Sequence, residues 1–183
     1  MRHPFMAGVS ERLAARGLGT LRYQFPYVEL GNKRPDSPGV LTATVRAAVA
    51  RAAEEDLPLF AGGKSLGGRM TSTAASSAEL PGLRGIVFFG FPLHAPGRAS
   101  AERGEHLARV EVPMLFLQGT RDSLADLAFL MPVVEALGDR ATLHVVEGGD
   151  HSFHVPKRSG RSDEEVLDEL AEATASWARG FLP

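Results

Sequence analysis

Apolar positions along this chain fall into two rhythms, and the rhythms alternate. Phe5, Val9 and Leu13 recur at helical spacing and stop at Gly17, which predicts a helix over residues 5–16. Gly19-Thr20-Leu21-Arg22-Tyr23 reads as a strand, followed by a polar, proline-containing loop through Pro38. Leu41, Val45, Ala48, Val49 and Ala52 share one face of a helix over 40–54. A short apolar run at 57–61 ends in Gly62-Gly63 and reads as a strand, with a helix over 66–77 behind it. Gly85-Ile86-Val87-Phe88-Phe89 is apolar throughout rather than alternating, the mark of a strand buried on both faces. Strands at 113–117 and 141–146 bracket a helix at 125–137. The last helix opens on the capping box Ser162-x-x-Glu165 and carries Leu167, Leu170, Trp177 and Phe181 on one face. Five strands interleaved with helices predict an α/β fold, a mostly parallel central sheet flanked by helices, in one domain over 1–183.

Composition narrows the function classes. A chain of 183 residues is long enough for one sizeable core. Twenty Lys and Arg against twenty-two Asp and Glu give a net charge of −2, which leaves no electrostatic footprint for nucleic acid and no basic run for a membrane surface. The absence of cysteine excludes disulfides, zinc–thiolate sites and a cysteine nucleophile. No apolar run approaches the roughly 18 residues of a membrane span, and Met1-Arg2-His3-Pro4-Phe5 lacks the apolar core of a signal peptide. A cytoplasmic enzyme or binding domain is therefore expected, without cofactor or metal. Asp163-Glu164-Glu165 complements a helix dipole rather than forming a metal site.

The chemistry centres on Gly63-Lys64-Ser65-Leu66-Gly67, a G-x-S-x-G string standing between a predicted strand and a predicted helix. That context is the one a nucleophile elbow requires, because a serine on a cramped strand-to-helix turn needs small neighbours. The same string resembles the tail of a phosphate-binding loop, but the glycine required at position 58 is Pro58. A serine hydroxyl needs a base, and the base needs an orienting acid. Asp122 follows the strand at 113–117, and His151 follows the strand at 141–146. All three therefore sit beyond carboxyl ends of strands, where ligand sites in open α/β sheets collect. His154 lies three residues beyond His151 and is its rival as base, while Asp150 stands too near His151 to orient it easily. His144 falls inside a strand as a structural histidine, and His3 and His106 read as surface residues. His94 follows a strand end and lines the pocket or holds a turn; Lys64 and Arg121 flank the candidates and either favour acidic substrates or are solvated.

Gly-Lys-Ser-Leu-Gly-Gly-Arg, Leu-Gln-Gly-Thr-Arg-Asp and Gly-Asp-His-Ser-Phe, in this order, resemble the α/β-hydrolase superfamily, and more closely its small dienelactone-hydrolase-like branch. The likeness extends to Met1-Arg2-His3-Pro4-Phe5-Met6, Arg22-Tyr23-x-Phe25-Pro26-Tyr27 and Phe91-Pro92-Leu93-His94, nearly the whole chain. It implies Ser65 as nucleophile, Asp122 as orienting acid, His151 as general base and the backbone N–H of Leu66 as one oxyanion donor. Serine stands where dienelactone hydrolases carry cysteine, so their substrate is not implied. The implied activity is hydrolysis of a small ester, thioester or related acyl substrate; the alternative is a catalytically weak or inactive binding module of the same fold. The resemblance also implies a strand before Met1, ending in a glycine-rich loop with the second oxyanion donor and lying between the strands at 19–23 and 57–61. On this reading the sheet lacks its first strands, and the chain alone is expected to be weakly active and to form homo-oligomers. About 23 residues separate the strands at 85–89 and 113–117, too few for a cap domain, so an open site is expected.

Overall fold

The computed structural model describes residues 3–182. Among them, four parallel strands form one sheet in the order β1 (Leu59–Lys64), β2 (Leu83–Phe89), β3 (Met114–Gly119) and β4 (Ala141–Val146). The helices are α1 (Pro4–Ala14), α2 (Pro26–Glu29), α3 (Pro38–Ala53), α4 (Leu66–Ser77), α5 (Leu127–Leu137) and α6 (Asp163–Arg179), and a 3-10 helix spans Glu102–Arg109 between β2 and β3. None of these helices is long and apolar enough to cross a membrane.

The sheet is covered on both faces at its two central strands, as the apolar runs of β2 and β3 require. Val87, Phe89, Leu115 and Leu117 pack under α1 and α6 together with Val9, Val166 and Leu170. Ile86, Phe88, Met114 and Phe116 face the other way, against Leu107, Leu130 and Leu137. A third cluster joins α3 to α4 through Leu41, Val45, Val49, Met70 and Ala74. Both bonds of the Ser162–Glu165 capping box are present, and α6 holds α1 through Arg12–Asp168 at 2.9 Å and Arg16–Glu172 at 2.8 Å.

One predicted element is absent. Residues 18–25 form no strand, so the described sheet has four strands and not five. Extended backbone becomes a strand only when a neighbour lies within hydrogen-bonding distance, about 4.8 Å away. Here the segment, α1, α3 and β1 together line an apolar groove of about 680 Å³, with Leu18, Leu21, Tyr23, Leu57, Leu59 and Ala61 among its walls, and the segment is not paired with β1. β1 consequently pairs on one side only, with β2. The short helix α2 falls in a region expected to be loop, and α3 starts two residues before the predicted start, with Pro38 in its first turn where a missing N–H costs nothing.

Candidate active site

The end of β1 builds the nucleophile's position. Ser65 leaves the strand with φ 51° and ψ −115°, a conformation that is costly for a side-chain-bearing residue and persists where the surroundings impose it. Its N–H donates to Phe89 O at 3.1 Å, which ties the turn to β2, and its carbonyl accepts from Arg69 N as the start of α4. The glycines do unequal work. A Cβ at Gly62 would lie 2.1 Å from Val87 O, and one at Gly68 would lie 2.7 Å from Gly63 O and 3.0 Å from the Phe88 ring. A Cβ at Gly67 meets nothing within 4 Å. The steric requirement thus falls most on Gly62 and Gly68, which flank the G-x-S-x-G string, and less on Gly63, where a Cβ would meet the Gly67–Gly68 backbone at 3.3 Å.

The loops after β3 and β4 bring the acid and the base to this turn. Gly119 and Gly149 allow the two backbones to touch, since a Cβ on Gly119 would lie 2.2 Å from Gly149 O. Thr120 N donates to Val146 O and Arg121 N to Gly149 O, which fixes one loop on the other. Asp122 is then buried with His151 above it, the Nδ1 to Oδ2 distance being 2.7 Å. His151 Nε2 stands 2.8 Å from Ser65 Oγ. A carboxylate oxygen only accepts, so the ring carries its proton on Nδ1 and Nε2 is left to accept from the serine hydroxyl. The Asp122 carboxylate also accepts from Leu124 N at 2.8 Å and from the Gln118 side-chain amide. Gln118 is itself fully buried and accepts from Phe91 N at 3.0 Å through its other end. Sequence reasoning missed this residue, because a glutamine at the end of an apolar strand carries no motif; its signal was a lone polar side chain in a run otherwise buried. Gly90 lies under the Asp–His contact, where a Cβ would touch both groups at an ordinary 3.4–3.5 Å; its φ of 73°, not lack of space, favours glycine there.

The other candidates are sorted by the fold. His154 points away from the site to Asp163, 2.6 Å distant, and that hydrogen bond raises its pKa; it does not compete with His151. Asp150 is not an orienting acid but the scaffold of the base's loop, accepting from Ser152 N and His154 N. His94 is buried with both ring nitrogens engaged, Nδ1 with Ala95 O and Nε2 with Asp126 N, each at 3.0 Å, and so takes the turn role rather than lining a pocket. Lys64 does not reach toward the substrate side: its ammonium donates to His151 O and lies over the rings of Phe5 and Phe153. His144 bonds Glu169 at 2.7 Å, as a structural histidine on β4. His106 is not a plain surface residue; it meets the buried Ser72 hydroxyl at 2.7 Å, and burial holds its imidazole down at about 4, so the ring is neutral. Leu66 heads α4, whose first N–H groups have no intrahelical acceptor and face the turn that bears Ser65.

A strained serine at a strand-to-helix turn, contacted by a histidine that is contacted by a buried aspartate, defines the class: an α/β protein with a hydrolase-type constellation. The family follows directly. Residues 1–179 match the alpha/beta hydrolase domain family, and the chain belongs to it. Solved structures agree on the fold. An alpha-beta serine hydrolase homologue from Coxiella burnetii superposes with a TM-score of 0.70 at 20% identity, covering 94% of this chain and 77% of that one. An a/b serine hydrolase without lid from Xanthomonas campestris gives 0.71 at 21% identity over 97% and 75%. A monoacylglycerol lipase from Paleococcus ferrophilus gives 0.74 at 16% identity over 98% and 91%.

Proposed function

We propose that this protein is a serine hydrolase that cleaves small ester, thioester or related acyl substrates, with Ser65 as nucleophile, His151 as general base and Asp122 as orienting acid. The observation that carries this reading is the unbroken contact from Ser65 Oγ to His151 Nε2 and from His151 Nδ1 to Asp122. Ser65 Oγ attacks the acyl carbon while its proton passes to His151 Nε2; the carbonyl oxygen becomes an oxyanion facing Leu66 N–H. Collapse expels the alcohol or thiol, which takes the proton from the imidazolium, and leaves an acyl-Ser65 ester. Water, deprotonated by the same nitrogen, releases the acid and restores the serine. The Asp122 carboxylate stabilises the imidazolium across a short contact in a buried setting. The β2–β3 connection holds a single 3-10 helix, which supports an open site and small or exposed acyl groups.

The second reading, a catalytically weak binding module, draws on one observation: the outer edge of β1, beside the elbow, is unpaired. Leu66 N–H is the oxyanion donor that the elbow itself provides, and loss of one donor of two costs about 10²–10³ in kcat. A fluorophosphonate probe separates the readings, since it bonds only to an activated serine. Covalent labelling of the native chain and at least ~10⁴-fold loss of p-nitrophenyl acetate turnover in Ser65→Ala are expected. Equal turnover by the two proteins would sink the assignment.

A further inference from the structure

We propose that Lys64 is a positioning residue for the base: by gripping the main chain of the loop after β4, it sets where His151 stands relative to Ser65. This rests on the serine-hydrolase reading above and assigns a role to a side chain which that reading does not use.

The geometry begins with adjacency. Lys64 ends β1 and Ser65 follows it, so one point in the sheet carries both side chains. They depart on different sides. Ser65 meets the imidazole of His151 at 2.8 Å, while Lys64 Nζ donates to the carbonyl oxygen of the same residue at 2.5 Å. His151 is therefore held twice from one strand end, by its ring and by its backbone. A displacement of the loop's main chain therefore acts on both contacts.

The loop itself is built to be held from that side. Asp150 closes it into a turn through Ser152 N and His154 N, and Asp150 N donates to His154 O. Phe153 stands at φ 63° and is 2% exposed, its ring stacked on Phe5 at 5.6 Å between centroids. Lys64 Nζ lies 4.7 Å from the Phe5 centroid and 5.1 Å from that of Phe153, so the two rings form an aromatic seat for the ammonium. The charged groups that face it are Asp122 and Asp150, from the loops after β3 and β4, with aromatic faces on the α1 side.

The cation is kept at a cost to stability. Burial lowers the Lys64 pKa from its ordinary value to about 8, against the pull of Asp122 and Asp150. The unfolded chain then binds more protons between about pH 8 and the ordinary lysine value, and this group's contribution to stability rises with pH through that window. At neutral pH the fold carries a partly desolvated charge that a methionine of similar length would not. Groups that oppose stability in this way are the ones expected to serve function.

Lys64→Met separates positioning from packing. The variant is expected to melt at or above the temperature of the native chain, yet to lose about 10–100-fold in kcat on p-nitrophenyl acetate, as base misplacement of under an ångström does. KM should change less than twofold, since the side chain does not face substrate. The native rate should fall above about pH 8 as the amine loses its charge and its hydrogen bond weakens, and Lys64→Met should lack that alkaline limb. An unchanged kcat, a loss confined to KM, or a rate loss that tracks a fall in melting temperature would each overturn the proposal. Fluorophosphonate labelling distinguishes the two levels. If the native chain is not labelled, the serine-hydrolase reading fails; if native and Lys64→Met chains are labelled at one rate, only the clamp fails.

Discussion

The two ends of this sheet are finished differently. At the carboxyl ends of β2, β3 and β4, backbone touches backbone at Gly119 and Gly149, Gln118 is spent on both Asp122 and Phe91, and Asp122 receives three donors. Across the outer edge of β1 there is a groove of about 680 Å³, with Leu57 70% exposed and Leu21 46% exposed on its walls. In the first region Gln118, Asp122 and His151 each find their partners within the fold. The second leaves a strand edge and apolar surface open to whatever can pair with them. Catalytic geometry in this fold depends on loops locked by paired strands, so the constellation stands although its sheet is open on one side. The proposed oxyanion stabilisation is what the open side would touch, because β1, the strand that delivers Ser65, is paired with β2 on one edge and, among the described residues, has no strand on the other.

The largest effect that tests the locked side is Asp122→Asn. An amide in place of the carboxylate lets the ring take the tautomer with its proton on Nε2, which cannot accept from Ser65, and kcat should fall by about 10⁴ with KM little changed. Steady-state kinetics on a short p-nitrophenyl ester, with unchanged circular dichroism, checks this; a loss below tenfold would mean that Asp122 is a packing residue.

The elbow gives a sharper and smaller contrast. Gly68→Ala forces a methyl against Gly63 O and the Phe88 ring and should cost about 1–3 kcal/mol of stability, together with most of the activity. Gly67→Ala places its methyl in open space within α4 and should stabilise by about 0.5–1 kcal/mol through helix propensity. Urea melts of the two variants report both values, and equal sensitivity at the two positions would contradict the assignment of the contact to Gly68.

The open side is tested by the smallest change. The chain is expected to self-associate through the β1 edge and its groove, and Leu57→Lys puts a charge on the rim where edge strands of natural sheets often carry one. Sedimentation should show weaker association at equal protein concentration, with stability altered by no more than about 0.5 kcal/mol. Unchanged association would move the contact elsewhere on the surface.

Much of this was legible in the chain. The doubly buried strand 85–89, the helix at 66–77 and the capping box at Ser162 were read from patterns that depend on neighbours a few residues away, and local physics sets those. The positions of Ser65, Asp122 and His151 after strand ends were legible because parallel strands collect such ends on one side of a sheet. What the linear pattern could not give was any outcome set by a partner distant in sequence. The segment 19–23 has a strand's composition, but pairing decides strand formation and its neighbour lies across a groove. Gln118, Asp150 and Lys64 look like a buried polar, a spare acid and a solvated cation. Each acquires its role from a contact, Gln118 and Lys64 across loops that the tertiary fold brings together and Asp150 within the turn that it closes. Sequence determined which elements form and which chemistry is on hand; the tertiary structure decided which groups meet, because hydrogen bonds and packing act over a few ångströms and chain distance does not.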